Sequence, residues 1–293
     1  MKNSDECFTI SELLKLGSRL IRNSGIREAR LDARVLFCSA SNLEKEVLSA
    51  YPELIVKDEI AKIFMKYIDR RCKHEPVSKI IGKRSFWKLD LSVNSHVLDP
   101  RPESEIIIET VLQHVRDREF NFGILDLGTG SGALLLSILN ELPYSFGVGT
   151  DCSQNALKLA RTNAESNGLK ERANFVVMDW ARGLRGKFDI IVSNPPYIPS
   201  GELEKLPPEV LNFDPVIALD GGHEGLSKLK EILSLVPILL DEKGFCVVEF
   251  GSNQTKKLTK YVEDLGLTVN SVRQDLSRQD RCLVVSGGKN KHI

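Results

Sequence analysis

Gly123-Ile124-Leu125-Asp126-Leu127-Gly128-Thr129-Gly130-Ser131-Gly132-Ala133 runs from an apolar stretch straight into a glycine-rich turn and the opening of a helical pattern. Glycines at such a turn let the backbone bend sharply and let a ligand come close to the main chain. Asp151 stands 23 residues beyond Gly128, at the end of the next apolar run, where a carboxylate is placed to accept hydrogen bonds from ribose hydroxyls. A nucleoside-containing cofactor is therefore expected. Its kind stays open at this point, because Gly128-x-Gly130-x-x-Ala133 also satisfies the dinucleotide fingerprint.

Outward from that turn the chain alternates strand and helix. Strands are expected at Gly123–Leu127, Ser145–Thr150, Asn174–Met178, Asp189–Ser193, Gly244–Phe250, Thr268–Arg273 and Arg281–Val285. Helices fit between them at about 132–141, 153–167, 225–240 and 253–265. Alternation of this kind gives an α/β fold, a parallel sheet with helices on both faces. Only Gln274–Asp280 separates the last two strands, too short for a parallel crossover, so the final strand should run antiparallel to its predecessor.

Upstream the pattern is helical. Thr9 and Glu12 have capping-box spacing, and Ile10, Leu13, Leu14, Gly17, Leu20 and Ile21 then share one helix face, with Gly25 as a stop. Ala29, Ala33, Leu36, Phe37 and Ala40 mark a second helix; Ile60, Ile63, Phe64, Tyr67 and Ile68 mark a third that closes near Pro76. From Val77 the period shifts to strand or hairpin alternation, clearest at Phe86, Leu89, Leu91 and Val93. The prolines of Asp99-Pro100-Arg101-Pro102-Glu103 hold a stiff linker or flap, and helix resumes at Ile106–Val115. The expected division is a helical bundle over 1–75, a hairpin and linker over 76–105, and a sheet domain over 106–293, with Gly287–Ile293 frayed.

Lys plus Arg (40) equals Asp plus Glu (40), so there is no global positive field to gather nucleic acid, and no stable nucleic-acid binding is expected. The six cysteines are scattered without a CxxC pair and the five histidines without a cluster, which points to reduced thiols and no metal site. Met1–Ile10 lacks the pattern of a signal or transit peptide, and no apolar run reaches the roughly 18 residues of a membrane span. A cytoplasmic monomer is expected.

The second chemical signal is Asn194-Pro195-Pro196-Tyr197, directly after the apolar strand Ile190–Ser193 and hence at the carboxyl edge of the sheet. An amide nitrogen is a poor nucleophile because its lone pair is delocalised into the carbonyl. Acceptors that take hydrogen bonds from its NH2 group hold it in line for attack and favour rehybridisation. The Asn194 side-chain oxygen and the Pro195 carbonyl are suitable acceptors; Pro195 and Pro196 stiffen the loop, and Tyr197 offers a flat surface to a planar group.

Glycine loop and Asn-Pro-Pro-Tyr together resemble the amino-methyltransferases, and further stretches resemble their protein-glutamine branch, the release factor N5-glutamine methyltransferases (the PrmC/HemK family). These stretches include Ile80–Trp87, Pro100–Glu103, Asp179-Trp180, Phe188-Asp189, Asp214-Pro215 through Gly221-Gly222, Gly225-Leu226, Glu249-Phe250-Gly251 with Gln254, Asp275-Leu276 and Asp280-Arg281, spanning about residues 76–285. The resemblance implies a class I methyltransferase, a Rossmann-like seven-stranded sheet with an antiparallel last strand, using S-adenosyl-L-methionine. It implies that Gly128, Thr129, Gly130, Ser131 and Gly132 wrap the methionine part of the cofactor. Asp151 would hold the ribose, Trp180 would pack on the adenine with Asp179 beside it, and Asn194–Tyr197 would clamp the acceptor amide. The implied substrate is the glutamine of the Gly-Gly-Gln motif in class-1 peptide chain release factors, in translation termination, with the helical bundle as docking surface. Arg101 and Glu103 are as readily linker as site residues, and Glu249 reads as a strand-end carboxylate outside the site. The competing expectations are a glutamine methyltransferase for a ribosomal protein, a DNA or RNA amino-methyltransferase, and an NAD-binding dehydrogenase or non-catalytic nucleotide-binding module.

Overall fold

Thr9 Oγ1 accepts the Glu12 N–H at 3.2 Å while the Glu12 carboxylate accepts the Thr9 N–H at 2.9 Å. The expected capping box thus opens the first helix, α1 (Ile10–Asn23), in the computed structural model, which describes residues 8–287. The fraying expected at the C-terminal tail falls, beyond Gly287, outside the described residues. The chain forms two units, Met1–Gly82 with Pro207–Phe213, and Lys83–Leu206 with Asp214–Ile293.

In the first unit α1 buries Ile10, Leu13, Gly17 and Ile21, the face its periodicity marks. It is followed by α2 (Ala29–Ser41), α3 (Lys45–Ala50), α4 (Asp58–Cys72) and α5 (Val77–Ile81). Phe37 of α2 meets Phe64 of α4 edge-on, ring centroids 5.3 Å apart, at the centre of the core. Beside that core Arg71 donates to Asp32 Oδ2 at 2.8 Å, a nearly buried ion pair. Two elements depart from expectation. The short α3 has too few residues to show a period. Val77–Ile81 is helix, not strand: Pro76 caps its start, Gly82 ends it in the left-handed region at φ +74°, and alternation begins only after that glycine.

The second unit opens with the antiparallel hairpin of β1 (Lys83–Phe86) and β2 (Leu89–Ser92), paired Phe86 with Leu89 and Arg84 with Leu91. Then come α6 (Glu105–His114), β3 (Gly123–Leu127), α7 (Ala133–Glu141), β4 (Phe146–Asp151), α8 (Gln154–Ser166), β5 (Ala173–Val177) and β6 (Phe188–Ser193). The long passage after β6 holds α9 (Pro208–Leu211), which belongs to the first unit, and the chain ends α10 (Ser227–Leu239), β7 (Leu240–Glu249), α11 (Thr255–Asp264), β8 (Thr268–Gln274) and β9 (Asp280–Ser286). The seven strands lie in the order β5-β4-β3-β6-β7-β9-β8. β9 runs antiparallel to both β7 and β8, while the other neighbouring pairs are parallel, which is the expected architecture.

Every residue of β3 is buried, as a central strand covered on both faces requires. Ile107 of α6, Leu135 of α7 and Leu157 of α8 join one core with Phe86 and Leu91 of the hairpin; Leu229 and Ile232 of α10 and Leu258 of α11 join the other. Strand order reverses between β3 and β6, so the two carboxyl ends diverge there and leave a crevice above the sheet. No helix among the described residues is long and apolar enough to cross a membrane.

Candidate functional site

The crevice is floored by the turn after β3. Gly128, Gly130 and Gly132 all have positive φ (+74°, +55° and +83°), the conformation that side chains with a Cβ resist. Gly128 and Thr129 both donate their N–H to the Thr150 carbonyl at 2.9 Å, tying the turn to β4. Asp151 finishes the tie: Oδ2 accepts from Gly130 N at 2.9 Å and Oδ1 from Ser153 N at 2.8 Å. Each carboxylate oxygen keeps a second lone pair for a ligand. Below, the Thr129 hydroxyl donates to Asp126 Oδ2 at 2.6 Å, and burial pushes the Asp126 carboxyl up to about 7.

One wall follows β5. Asp179 is exposed and ion-paired with Arg182 at 2.8 Å. Trp180 sits at φ +52°, in the left-handed region, with its indole N–H donating to Glu231 Oε2 at 2.9 Å. A Cβ on Gly128 would meet the Trp180 ring at 3.0 Å, so ring and glycine turn are in direct contact. Glu231 is itself held by Lys228 at 2.9 Å.

The opposite wall follows β6. Ser193 anchors the strand end by donating to the Leu127 carbonyl at 2.6 Å. Asn194 then donates Nδ2–H to Ser104 Oγ at 2.8 Å. Tyr197 donates its phenol to Glu249 Oε1 at 3.1 Å, and its carbonyl accepts from Gln254 Nε2 at 3.0 Å. Burial raises the Glu249 carboxyl to about 7, against the hydroxyls of Ser104 and Tyr197 and the charge of Arg281. Burial, then the Glu249 charge, raises the Tyr197 phenol far above its ordinary value. Gly225, at φ +71°, passes so close that a Cβ there would fall 2.1 Å from the Tyr197 oxygen. The stiff segment before α6 is fastened as well: Asp214 accepts from Arg101 at 2.5 Å and from the Asp99 N–H at 3.2 Å.

The fold therefore brings Gly128, Thr129, Gly130, Ser131, Asp151, Asp179, Trp180, Asn194 and Pro196 to one cleft, together with Ser104 and Arg101. Gly132, Pro195 and Tyr197 are not among its lining residues. Gly132 is packed against Leu136 where α7 begins, Pro195 is buried, and Tyr197 is turned to Glu249 and Gln254. The sequence reading does not name Ser104 and leaves Glu249 and Gln254 out of the site, yet these three side chains hold the Asn194–Tyr197 loop. The available signal was Glu249-Phe250-Gly251 with Gln254 ending β7, the strand beside β6.

The methyltransferase small domain family model matches residues 102–206, and the PrmC N-terminal domain model matches residues 12–82. A release factor glutamine methyltransferase of Rhodospirillum rubrum is 40% identical over 283 residues, which is 96% of this chain and 86% of that one. One of Caulobacter vibrioides is 39% identical over 271 residues, 92% of this chain and 93% of its own. The crystal structure of a methyltransferase from Pyrococcus furiosus shares the fold, with TM-score 0.54 and 18% identity over 75% of this chain and 98% of that one.

Proposed function

The chain belongs to the release factor glutamine methyltransferase family, and we propose that it transfers a methyl group from S-adenosyl-L-methionine to the side-chain amide nitrogen, N5, of the glutamine in the Gly-Gly-Gln motif of class-1 release factors. The observation that carries this reading is that Asn194 and Pro196 line the same cleft as the Gly128–Ser131 turn and Asp151. An amide clamp and a nucleoside cradle thus open on one space.

The residues present fit the cofactor. A Cβ on Gly130 would meet nothing within 4 Å, so the turn's backbone faces open room, and the spare lone pairs of Asp151 stand beside it. The cofactor, when bound, supplies an electrophilic methyl group on a sulfonium centre. Gly128–Gly132 would hold its methionine part, Asp151 its ribose, and Trp180 with Asp179 its base. Asn194 Oδ1, which makes no hydrogen bond among the described residues, and the Pro195 carbonyl would accept the two N–H bonds of the glutamine amide. Held by both protons, the nitrogen is fixed in position and its lone pair is drawn out of conjugation as the bond to carbon forms. The extra proton leaves the product nitrogen after transfer, so no strong base is needed.

A glutamine at a loop tip can enter this cleft without unfolding its host, whereas a duplex base would have to be flipped out at a cost of a few kcal/mol. Equal numbers of cationic and anionic side chains, 40 each, also favour a protein over a nucleic-acid substrate. We assign the helical bundle that the sequence places within residues 1–75 to docking the release factor body, and place the enzyme, as a monomer, in the cytoplasm with translation. The test is mass spectrometry of purified release factor after incubation with the enzyme and cofactor. One added methyl on the Gly-Gly-Gln glutamine is the expected result; methylation elsewhere, or none with cofactor binding intact, overturns the substrate.

A further inference from the structure

Pro195 and Pro196 have no N–H to donate, so two consecutive residues of the Asn194–Tyr197 loop cannot be fastened through their own nitrogens. Their fixed φ makes the segment a stiff link, and the position of the Pro195 carbonyl then depends on how the two ends are held. The near end is secured by β6, where Ser193 pairs with Val248 of β7 and donates its hydroxyl to the Leu127 carbonyl. The far end is Tyr197, whose carbonyl accepts Gln254 Nε2–H at 3.0 Å.

Gln254 stands immediately before α11 and is 8% exposed. Its side chain bonds to backbone on every side. Oε1 accepts the Gly251 N–H at 2.9 Å, and Nε2 reaches the carbonyls of Tyr197 at 3.0 Å, Gly225 at 3.1 Å and Glu224 at 3.3 Å. A backbone N–H only donates and a carbonyl only accepts, so these groups fix the direction of the amide. One side chain thereby joins the loop after β6, the turn at 221–225 and the turn after β7. Glycines on both sides leave it room: a Cβ on Gly225 would lie 2.6 Å from Nε2, and one on Gly251 would lie 3.3 Å from Oε1. The residue after Tyr197 leans on the same backing, since Ile198 donates to the Leu219 carbonyl at 3.1 Å and accepts from Gly221 N at 2.8 Å.

We propose that Gln254 is a positioning residue for methyl transfer: its NH2 group, held in one direction by Gly251, fixes the Tyr197 carbonyl and through the two prolines sets where the Pro195 carbonyl and Asn194 meet the acceptor amide. That role rests on the reading of Asn194 and Pro195 as the amide clamp. It requires the polarity of Gln254 and not merely its bulk. A carboxylate of the same shape can still accept from Gly251, but its other oxygen would face carbonyl oxygens that have nothing to donate.

The experiment compares wild type, Gln254→Glu and Gln254→Met in steady-state transfer to purified release factor, in alkaline buffer where the introduced carboxyl is ionised. Calorimetry with S-adenosyl-L-methionine gives the cofactor affinity and counts the folded sites. Gln254→Glu should lose up to about a hundredfold in kcat, as a displaced reacting group does, and Gln254→Met should lose less. Cofactor affinity and the KM for release factor should stay close to wild type in both. Wild-type turnover in either variant, a loss carried by KM with kcat kept, or Gln254→Glu no slower than Gln254→Met overturns the proposal. Should Gln254→Glu fail to fold, the division between kcat and KM in Gln254→Met decides alone. A wild type that binds cofactor but leaves the glutamine unmethylated overturns the underlying reading instead.

Discussion

Trp180 and Glu231 are joined side chain to side chain, indole Nε1 to Oε2 at 2.9 Å, across from the end of β5 to α10. The bond holds a ring whose backbone occupies the left-handed region and whose edge rests on Gly128. Removing the carboxylate frees the ring to swing. Glu231→Ala should weaken S-adenosyl-L-methionine binding by about 1 kcal/mol, roughly fivefold, with kcat little changed. The chain has 2 tryptophans, so in a Trp87→Phe background the fluorescence of Trp180 reports the same event directly. Undiminished affinity with an altered emission would remove Trp180 from the cofactor wall.

Asn194→Ala should abolish methyl transfer while leaving cofactor affinity intact. The Asn194 side chain is bonded to Ser104 and to nothing in the glycine turn, so its loss does not disturb the cradle. Oxyanion-type donors and acceptors of this kind are worth about a hundred- to a thousandfold in kcat. Near-normal turnover in the variant would end the amide-clamp assignment.

Gly225→Ala should be among the most damaging single-methyl changes in the protein. A Cβ at this position would collide with the Tyr197 oxygen at 2.1 Å, and φ +71° is strained for alanine besides. Backbone on the far side of the contact cannot yield without moving the Asn194–Tyr197 loop. Loss of kcat by about a hundredfold is expected, with the free energy of unfolding lowered by roughly 1–3 kcal/mol of strain. Full activity would mean the loop is looser than its contacts imply.

Asp126 gives a pH-dependent prediction about stability. Burial is the chief cause of its raised pKa, about 7 when folded, with the Thr129 hydroxyl opposing and the Asp151 charge adding. A raised carboxyl favours folding fully below its ordinary value, and that contribution is lost as pH rises through about 7. Asp126→Asn, neutral throughout, should lose none of it. The stability of the wild type relative to the variant should fall by up to about 4 kcal/mol from pH 4 to 8. Glu249 titrates in the same window in both proteins and cancels in the comparison. Parallel stability curves would refute the shift.

Much of this was readable from sequence because the deciding signals are local. β3 falls on Gly123–Leu127 as expected, since five consecutive buried residues bounded by a glycine turn admit few other readings. The antiparallel β8–β9 hairpin followed from a connection too short to cross over. Asn194, which lines the cleft, stands out in sequence because its motif is contiguous. Its supports were not: Ser104 precedes it by 90 residues, and Gln254 reaches Tyr197 across 57. Nothing near Glu249 in sequence tells that Tyr197 lies against it, and nothing in Gly221–Gly225 tells that a tyrosine carbonyl fills the space of a missing side chain. The helix Val77–Ile81 was missed for a different reason, a five-residue run being too short to distinguish periods of 2 and 3.6.

Residues Pro207–Phe213 leave the sheet unit and belong to the helical one. There Glu209 meets His74 at 3.3 Å and Arg71 at 3.6 Å, and the Phe213 carbonyl accepts from Lys79. During synthesis, then, the helical unit leaves the ribosome early with all of its core residues but without the segment that carries Glu209. Its last piece is still being translated, on the far side of the glycine turn, β6 and Asn194. An enzyme that serves the end of translation is thus assembled in an order that completes its N-terminal unit only after its chemical centre has been made.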